Sequence, residues 1–152
     1  MENGILVLMA FVSGWLVAQV LKMVIAIVKS RGQMSVGEMI EWLIKSGGMP
    51  SGHAASFTAA TVTIGMVVGF NSVIFALALC TTIIILYDAM NVRYAVGEQG
   101  KILNEMVEHH GHARHGEKKL KIVEGHTLAQ VIVGVLLGVI LALLATKIAQ
   151  IW

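Results

Sequence analysis

Apolar and polar residues fall in long blocks along this chain. Residues 4–28 are apolar apart from Ser13, Gln19 and Lys22. A second block, 46–87, runs for 42 residues without Asp, Glu, Lys or Arg. A third, 127–146, carries no charge. A helix needs about 20 apolar residues to cross a bilayer, so the first and third blocks each predict one span. The second is too long for one. It divides at the turn-forming cluster Gly69-Phe70-Asn71-Ser72, which predicts two short spans, 53–68 and 72–87. The expected fold is an all-α integral membrane protein, one domain over residues 1–152, with about four transmembrane helices in a bundle. Glu2 and the lack of a basic start argue that the first block is a retained helix and not a signal peptide.

Two polar segments separate these spans. In 29–52 the apolar residues Val36, Met39, Ile40, Leu43 and Ile44 follow helical spacing and predict a short amphipathic helix lying on the interface. In 88–125 a helix is expected to continue out of the third span to about Val107, followed by the loop HHGHARHGEKKLK. With four spans, both segments fall on one side of the membrane. They carry nine of the eleven Lys and Arg residues, so the positive-inside rule places them in the cytosol and both termini outside.

Composition changes this picture little. Hydrophobic residues make up 57% of the chain and charged residues 13%, about half the charge of a soluble domain. A net charge of +2 with few aromatics offers nucleic acid neither a basic patch nor a stacking surface. Cys80 stands alone and implies no intrachain disulfide.

Four places carry candidate chemistry. Gly47-Gly48-Met49-Pro50-Ser51-Gly52-His53 is a preorganised turn opening an apolar helix. Free N–H groups and the helix dipole favour an anion there, with Pro50 suited to the first turn. Ser51 adds a hydroxyl, and His53 a proton that moves near neutral pH. Gly125-His126-Thr127 opens the last helix on the same side, and His126, Gln130, Gly134 and Gly138 share one face of it. The GxxxG pair invites close approach of another helix. Asp88 lies at an apolar boundary, five residues from Arg93, and a guanidinium suits phosphate oxygens. Arg93, Gly97, Gly100, Lys101 and Asn104 follow one helical face. Lys22 lies near the polar end of the first span, where snorkelling to the interface competes with reaching a polar cavity. His109, His110, His112 and His115 crowd into seven residues with no Asp or Cys ligand beside them. That loop reads as solvated, and neither a metal nor another cofactor is expected.

GGMPSGH, YDAMNVRYAVGEQGKILN and the GHT that opens the last helix together resemble a divergent bacterial and plant branch of a known superfamily. It unites type-2 phosphatidic acid phosphatases with vanadium haloperoxidases. Pro50-Ser51-Gly52-His53 reproduces its Pro-Ser-Gly-His motif. The resemblance covers nearly the whole chain. It implies metal-independent cleavage of a lipid phosphate or isoprenoid (pyro)phosphate through a phosphohistidine. Phosphatidylglycerophosphate would be one substrate suited to a cytosolic site. His126 would be the nucleophile and His53 the acid that protonates the leaving alkoxide. Arg93, Ser51, the amides near Gly52, and Lys22 would hold the phosphoryl oxygens, with Gln130 beside them.

The chain also departs from the superfamily pattern. No Arg-Pro follows Lys22 by seven residues, and Lys119-Leu120 stand where the third motif has Ser-Arg. Gln130 replaces the Asp that follows the nucleophile by four; it can orient the ring by hydrogen bonding but cannot stabilise an imidazolium by charge, and Asp88 is the candidate for that role. Many members have six spans, so a homodimer would complete the bundle. The rival readings are a non-catalytic binder of anionic lipid headgroups, then a vanadate-dependent oxidant, then a transporter.

Overall fold

The structure is a computed structural model and describes residues 3–35, 37–40, 47–109, 120, 122 and 125–151. Among these the secondary structure is helical: α1 Asn3–Lys29, α2 Gly52–Val68, α3 Val73–Met90, α4 Val92–His109 and α5 Leu128–Ile151. The interfacial helix expected over 36–44 is seen at its start. Residues 37–40 are helical, and Ser35 and Glu38 cap them reciprocally. The Ser35 N–H donates to Glu38 Oε2 at 2.7 Å and the Glu38 N–H to Ser35 Oγ at 3.3 Å. Its remainder, 41–44, lies outside the described residues. So do His110, His112 and His115 of the histidine-rich loop.

Three described helical stretches are long and apolar enough to cross a membrane: Asn3–Lys29, Val73–Glu108 and Leu128–Ala149. The fourth expected span, α2, has 17 residues. At 1.5 Å per residue it is ~26 Å long, at the short end for a bilayer. It is also the inner helix, packed against α1, α3 and α5. That position explains its composition of Ala, Ser, Thr and Gly: it needs small side chains all round and little apolar bulk. The chain is thus a helical membrane bundle whose large apolar side chains, Leu8, Leu77, Ile84, Leu136 and Ile140 among them, point outward. In water such a surface would be an aggregation hazard; in lipid it meets its own kind.

Small residues recur every fourth position on the two helices that flank α2. On α1 the buried set includes Ala10, Gly14, Ala18, Lys22 and Ala26; on α5 it includes Gly134, Gly138, Ala142 and Thr146. Packing between membrane helices rests on such close approach, since lipid supplies no hydrophobic drive. The Ala55 carbonyl of α2 is gripped from both sides. A Cβ added to Gly14 would stand 2.8 Å from it, and one added to Gly138 2.6 Å from it. Thr61 and Thr82 join α2 to α3 through their hydroxyls at 2.7 Å, whereas the buried Thr63 hydroxyl has no partner among the described residues. Phe11 of α1 meets Phe57 of α2 edge to face at 5.2 Å.

At one end of the bundle the heads of α2 and α5 meet the tail of α3. The Ser51 N–H donates to the Gln130 carbonyl at 3.1 Å, and the His126 N–H to the Ala89 carbonyl at 3.0 Å. The described parts of both polar segments therefore meet at this end. From α3 the chain passes almost directly into α4. Only Asn91 breaks the run, with φ −110° and ψ −63°. The way back to α5 is tied along α4: Asn104 donates through Nδ2 to the Leu120 carbonyl at 3.1 Å and accepts from the Leu120 N–H at 2.9 Å. Gly125 then lies directly on the Tyr94 backbone, where a Cβ would overlap it.

Candidate active site

The first half of the site is the head of α2. Gly47 and Gly48 take φ values of 100° and 76°, which glycine alone adopts without strain. They turn the chain abruptly into the helix. Pro50 was expected inside the first turn. It lies instead one residue before the cap, because Ser51 is the N-cap. Its backbone is extended and its Oγ accepts from the Ala54 N–H at 3.3 Å. Ser51 is wholly buried, so its hydroxyl serves the helix while the Gly52 and His53 amides begin it, with no preceding turn to bond to. His53 is exposed at this head.

Lys22 comes to the same place from α1. Only 5% of it is exposed, and its ammonium is 3.8 Å from where a Gly52 Cβ would be. Snorkelling to water does not describe this lysine. It is held under the head of α2, positive charge against positive helix end. A buried charge in a membrane helix costs about 2.5–3.5 kcal/mol on insertion scales, which makes Lys22 a candidate for function.

The second half is the head of α5. Thr127 and Gln130 form a capping box. The Thr127 N–H donates to Gln130 Oε1 at 3.0 Å, and the Gln130 N–H to Thr127 Oγ1 at 3.4 Å. The same Gln130 Oε1 lies 3.2 Å from Nδ1 of His126. His126 is 5% exposed. Burial pushes its imidazole below the ordinary value; the bond to Gln130 opposes this, and the nearby Lys22, His53 and Arg93 reinforce it.

The third contribution is an ion pair. Arg93 donates through Nε to Asp88 Oδ2 at 2.8 Å. On an unbroken helix, side chains five apart diverge by about 140°. The two side chains nevertheless meet across Asn91, where the backbone departs from regular helix values. His53 is within electrostatic reach of Arg93, Lys22 and Asp88. The eight residues singled out from sequence, Lys22, Ser51, Gly52, His53, Asp88, Arg93, His126 and Gln130, thus converge on one end of the bundle. The group on Nδ1 of His126 is Gln130, while Asp88 holds Arg93.

Two cavities flank this convergence and share Gly48 and Gln130 as a common wall. The larger, about 780 Å³, runs beside Lys22 and Lys29 of α1, with Ser30, Gln33 and Met49 around it. The smaller, about 140 Å³, is bordered by Tyr94, Gly97 and Glu98 of α4. Neither is lined by His53, His126 or Arg93. Among the described residues no group of three or more His, Cys, Asp or Glu could hold a metal ion.

Sequence reasoning missed three features: the Asn104 clamp, the Ala89 carbonyl under His126, and the double use of Gln130. Only the last had a signal, the spacing T-x-x-Q before an apolar run.

The uncharacterized membrane protein YuiD of Bacillus subtilis (strain 168) is 30% identical to the chain over 131 residues, covering 77% of this chain and 83% of the relative. No solved structure gives a significant match. The description that fits residues 2–141 is that of the divergent PAP2 family, and with nearly the whole length matched, the chain belongs to that family.

Proposed function

We propose that the protein is a metal-independent phosphatase acting on a lipid phosphate or isoprenoid (pyro)phosphate at the membrane interface. The observation that carries this reading is the convergence of Lys22, His53, Arg93 and His126 on the end where α2 and α5 begin. Nε2 of His126 attacks phosphorus and the bond from phosphorus to the leaving oxygen breaks. His53 gives that oxygen its proton. His53 then takes a proton from water, whose oxygen attacks phosphorus; the N–P bond breaks and inorganic phosphate leaves. Splitting one hard step into two is the advantage of a covalent intermediate, and positioned acid–base help contributes typically 10²–10⁴-fold. Lys22, Arg93 and the Gly52 and His53 amides hold the phosphoryl oxygens as charge develops. Asp88 keeps the Arg93 guanidinium in place.

The surplus of Lys and Arg on the polar segments supports a cytosolic site with both termini outside. A substrate made in the cytosolic leaflet suits that side, phosphatidylglycerophosphate or a short prenyl diphosphate being examples.

Phosphate release by the detergent-purified protein, with EDTA present, over a panel of lipid phosphates and prenyl diphosphates tests the reading. Turnover that survives EDTA and vanishes in His126→Ala is the expected result. A folded protein that binds these lipids, releases no phosphate, and binds equally well as His126→Ala would instead be a receptor for anionic headgroups.

A further inference from the structure

The capping box at the head of α5 settles more than the helix start. Gln130 Oε1 receives the Thr127 N–H at 3.0 Å. A backbone amide only donates, so the side-chain atom facing it is the carbonyl oxygen; the flipped amide would set two donors against each other. That same oxygen faces Nδ1 of His126 at 3.2 Å. An amide oxygen only accepts, so Nδ1 carries the hydrogen. Burial, with Lys22, His53 and Arg93 nearby, keeps the ring neutral. Nε2 is then left with a bare lone pair. The ring's main chain is pinned separately by the bond from the His126 N–H to the Ala89 carbonyl.

We infer that Gln130 is a positioning residue: its carbonyl, oriented by the Thr127 amide, holds His126 as the neutral Nδ1–H tautomer with Nε2 free to attack. The chemical consequence rests on the phosphoryl-transfer reading; the tautomer itself does not. The choice of an amide over a carboxylate has its own effect. Either can orient the ring, because either accepts from Nδ1–H. A carboxylate would also stabilise the imidazolium and raise the pH at which the nucleophile is lost. The amide gives orientation without that penalty and leaves His126 unprotonated further into acid.

Nitrogen NMR of the histidine-labelled protein in micelles reads the tautomer directly, with the resonance assigned through His126→Asn. At neutral pH the expected pattern is a protonated Nδ1 and an unprotonated Nε2, lost in Gln130→Ala. Turnover should fall ~10–100-fold in Gln130→Ala, as for other residues that orient a reacting group, in kcat with KM little changed. Gln130→Glu should recover the tautomer and much of the rate while moving the acid limb of kcat/KM to higher pH. Thr127→Ala keeps the backbone N–H that aims the amide, so it should weaken the helix start yet preserve the tautomer. A hydrogen on Nε2 in the wild-type protein overturns the inference whatever the activity. So does a Thr127→Ala variant as impaired in kcat as Gln130→Ala, which would reduce the role to helix capping. Absence of turnover on every substrate, with the Gln130-dependent tautomer intact, would sink the phosphatase reading and leave this assignment standing.

Discussion

The heads of α2 and α5 are built by one recipe and give their histidines opposite freedoms. Each is a polar start to an apolar helix, with a hydroxyl cap, and a glycine precedes each histidine. In α2 the cap is Ser51 and His53 follows it, inside the first turn, exposed and without a side-chain hydrogen bond to the described residues. In α5 the cap is Thr127 and His126 precedes it, buried, tied by its backbone to Ala89 and by its ring to Gln130. A three-residue shift in position relative to the cap therefore separates a fixed ring from a free one. A nucleophile benefits from being fixed. A group that must give a proton to a departing oxygen and later take one from water benefits from play and from contact with solvent.

Breaking this contrast gives the predictions. The largest effect is expected at His126: alanine there should remove turnover by at least ~10³-fold for every substrate, since it removes the group proposed to carry the phosphoryl. Phosphate release by the purified variant checks it. His53→Ala should cost less, about 10²–10³-fold on alkyl phosphates; on an aryl phosphate, whose leaving oxygen needs no proton, the first step should be nearly spared while hydrolysis of the intermediate stays slow. Rates on the two substrate types decide this.

Weaker conditions sharpen the comparison. Because His126 is pushed below the ordinary imidazole value of 6.5, it stays neutral when an exposed imidazole would already be charged. The acid limb of kcat/KM is therefore expected below pH 6.5, with activity lost as pH falls through it. A limb above that value would show that the site stabilises the imidazolium. Smallest for chemistry, and largest for the bundle, is the close contact beneath both heads. Gly138→Leu should destabilise the fold by about 1–3 kcal/mol through overpacking against the Ala55 carbonyl. Gly4→Leu, with open space around it, should be neutral; thermal unfolding in micelles compares the two.

Much of the bundle was legible in the sequence. Charge-free blocks of membrane length are a strong signal, and the Gly69–Ser72 turn divided the long one where α2 ends and α3 begins. The rank of α2 was not legible: its small residues read as weak hydrophobicity, and only packing shows that they answer an inner position. At the site, Pro-Ser-Gly-His and Gly-His-Thr each announced a helix start. Their meeting depends on Gly14, Gly134 and Gly138, whose close contacts are long-range. The Asp88–Arg93 pair was hidden by the assumption of an unbroken helix. Gln130, four residues after His126, was legible as a group able to hold the ring; its second bond, from the Thr127 N–H, was not.

One measurement tests most directly the claim that the two histidines hold separate duties. His53→Ala would be mixed with p-nitrophenyl phosphate in micelles, and nitrophenolate release followed from the first turnover. With an aryl leaving group the first step needs no acid, while the second still lacks its base. The account predicts a burst of about one nitrophenolate per protein, then slow turnover, with an alkali-stable phosphoryl group mapped to Nε2 of His126. No burst, or a phosphoryl group found anywhere else, would contradict it.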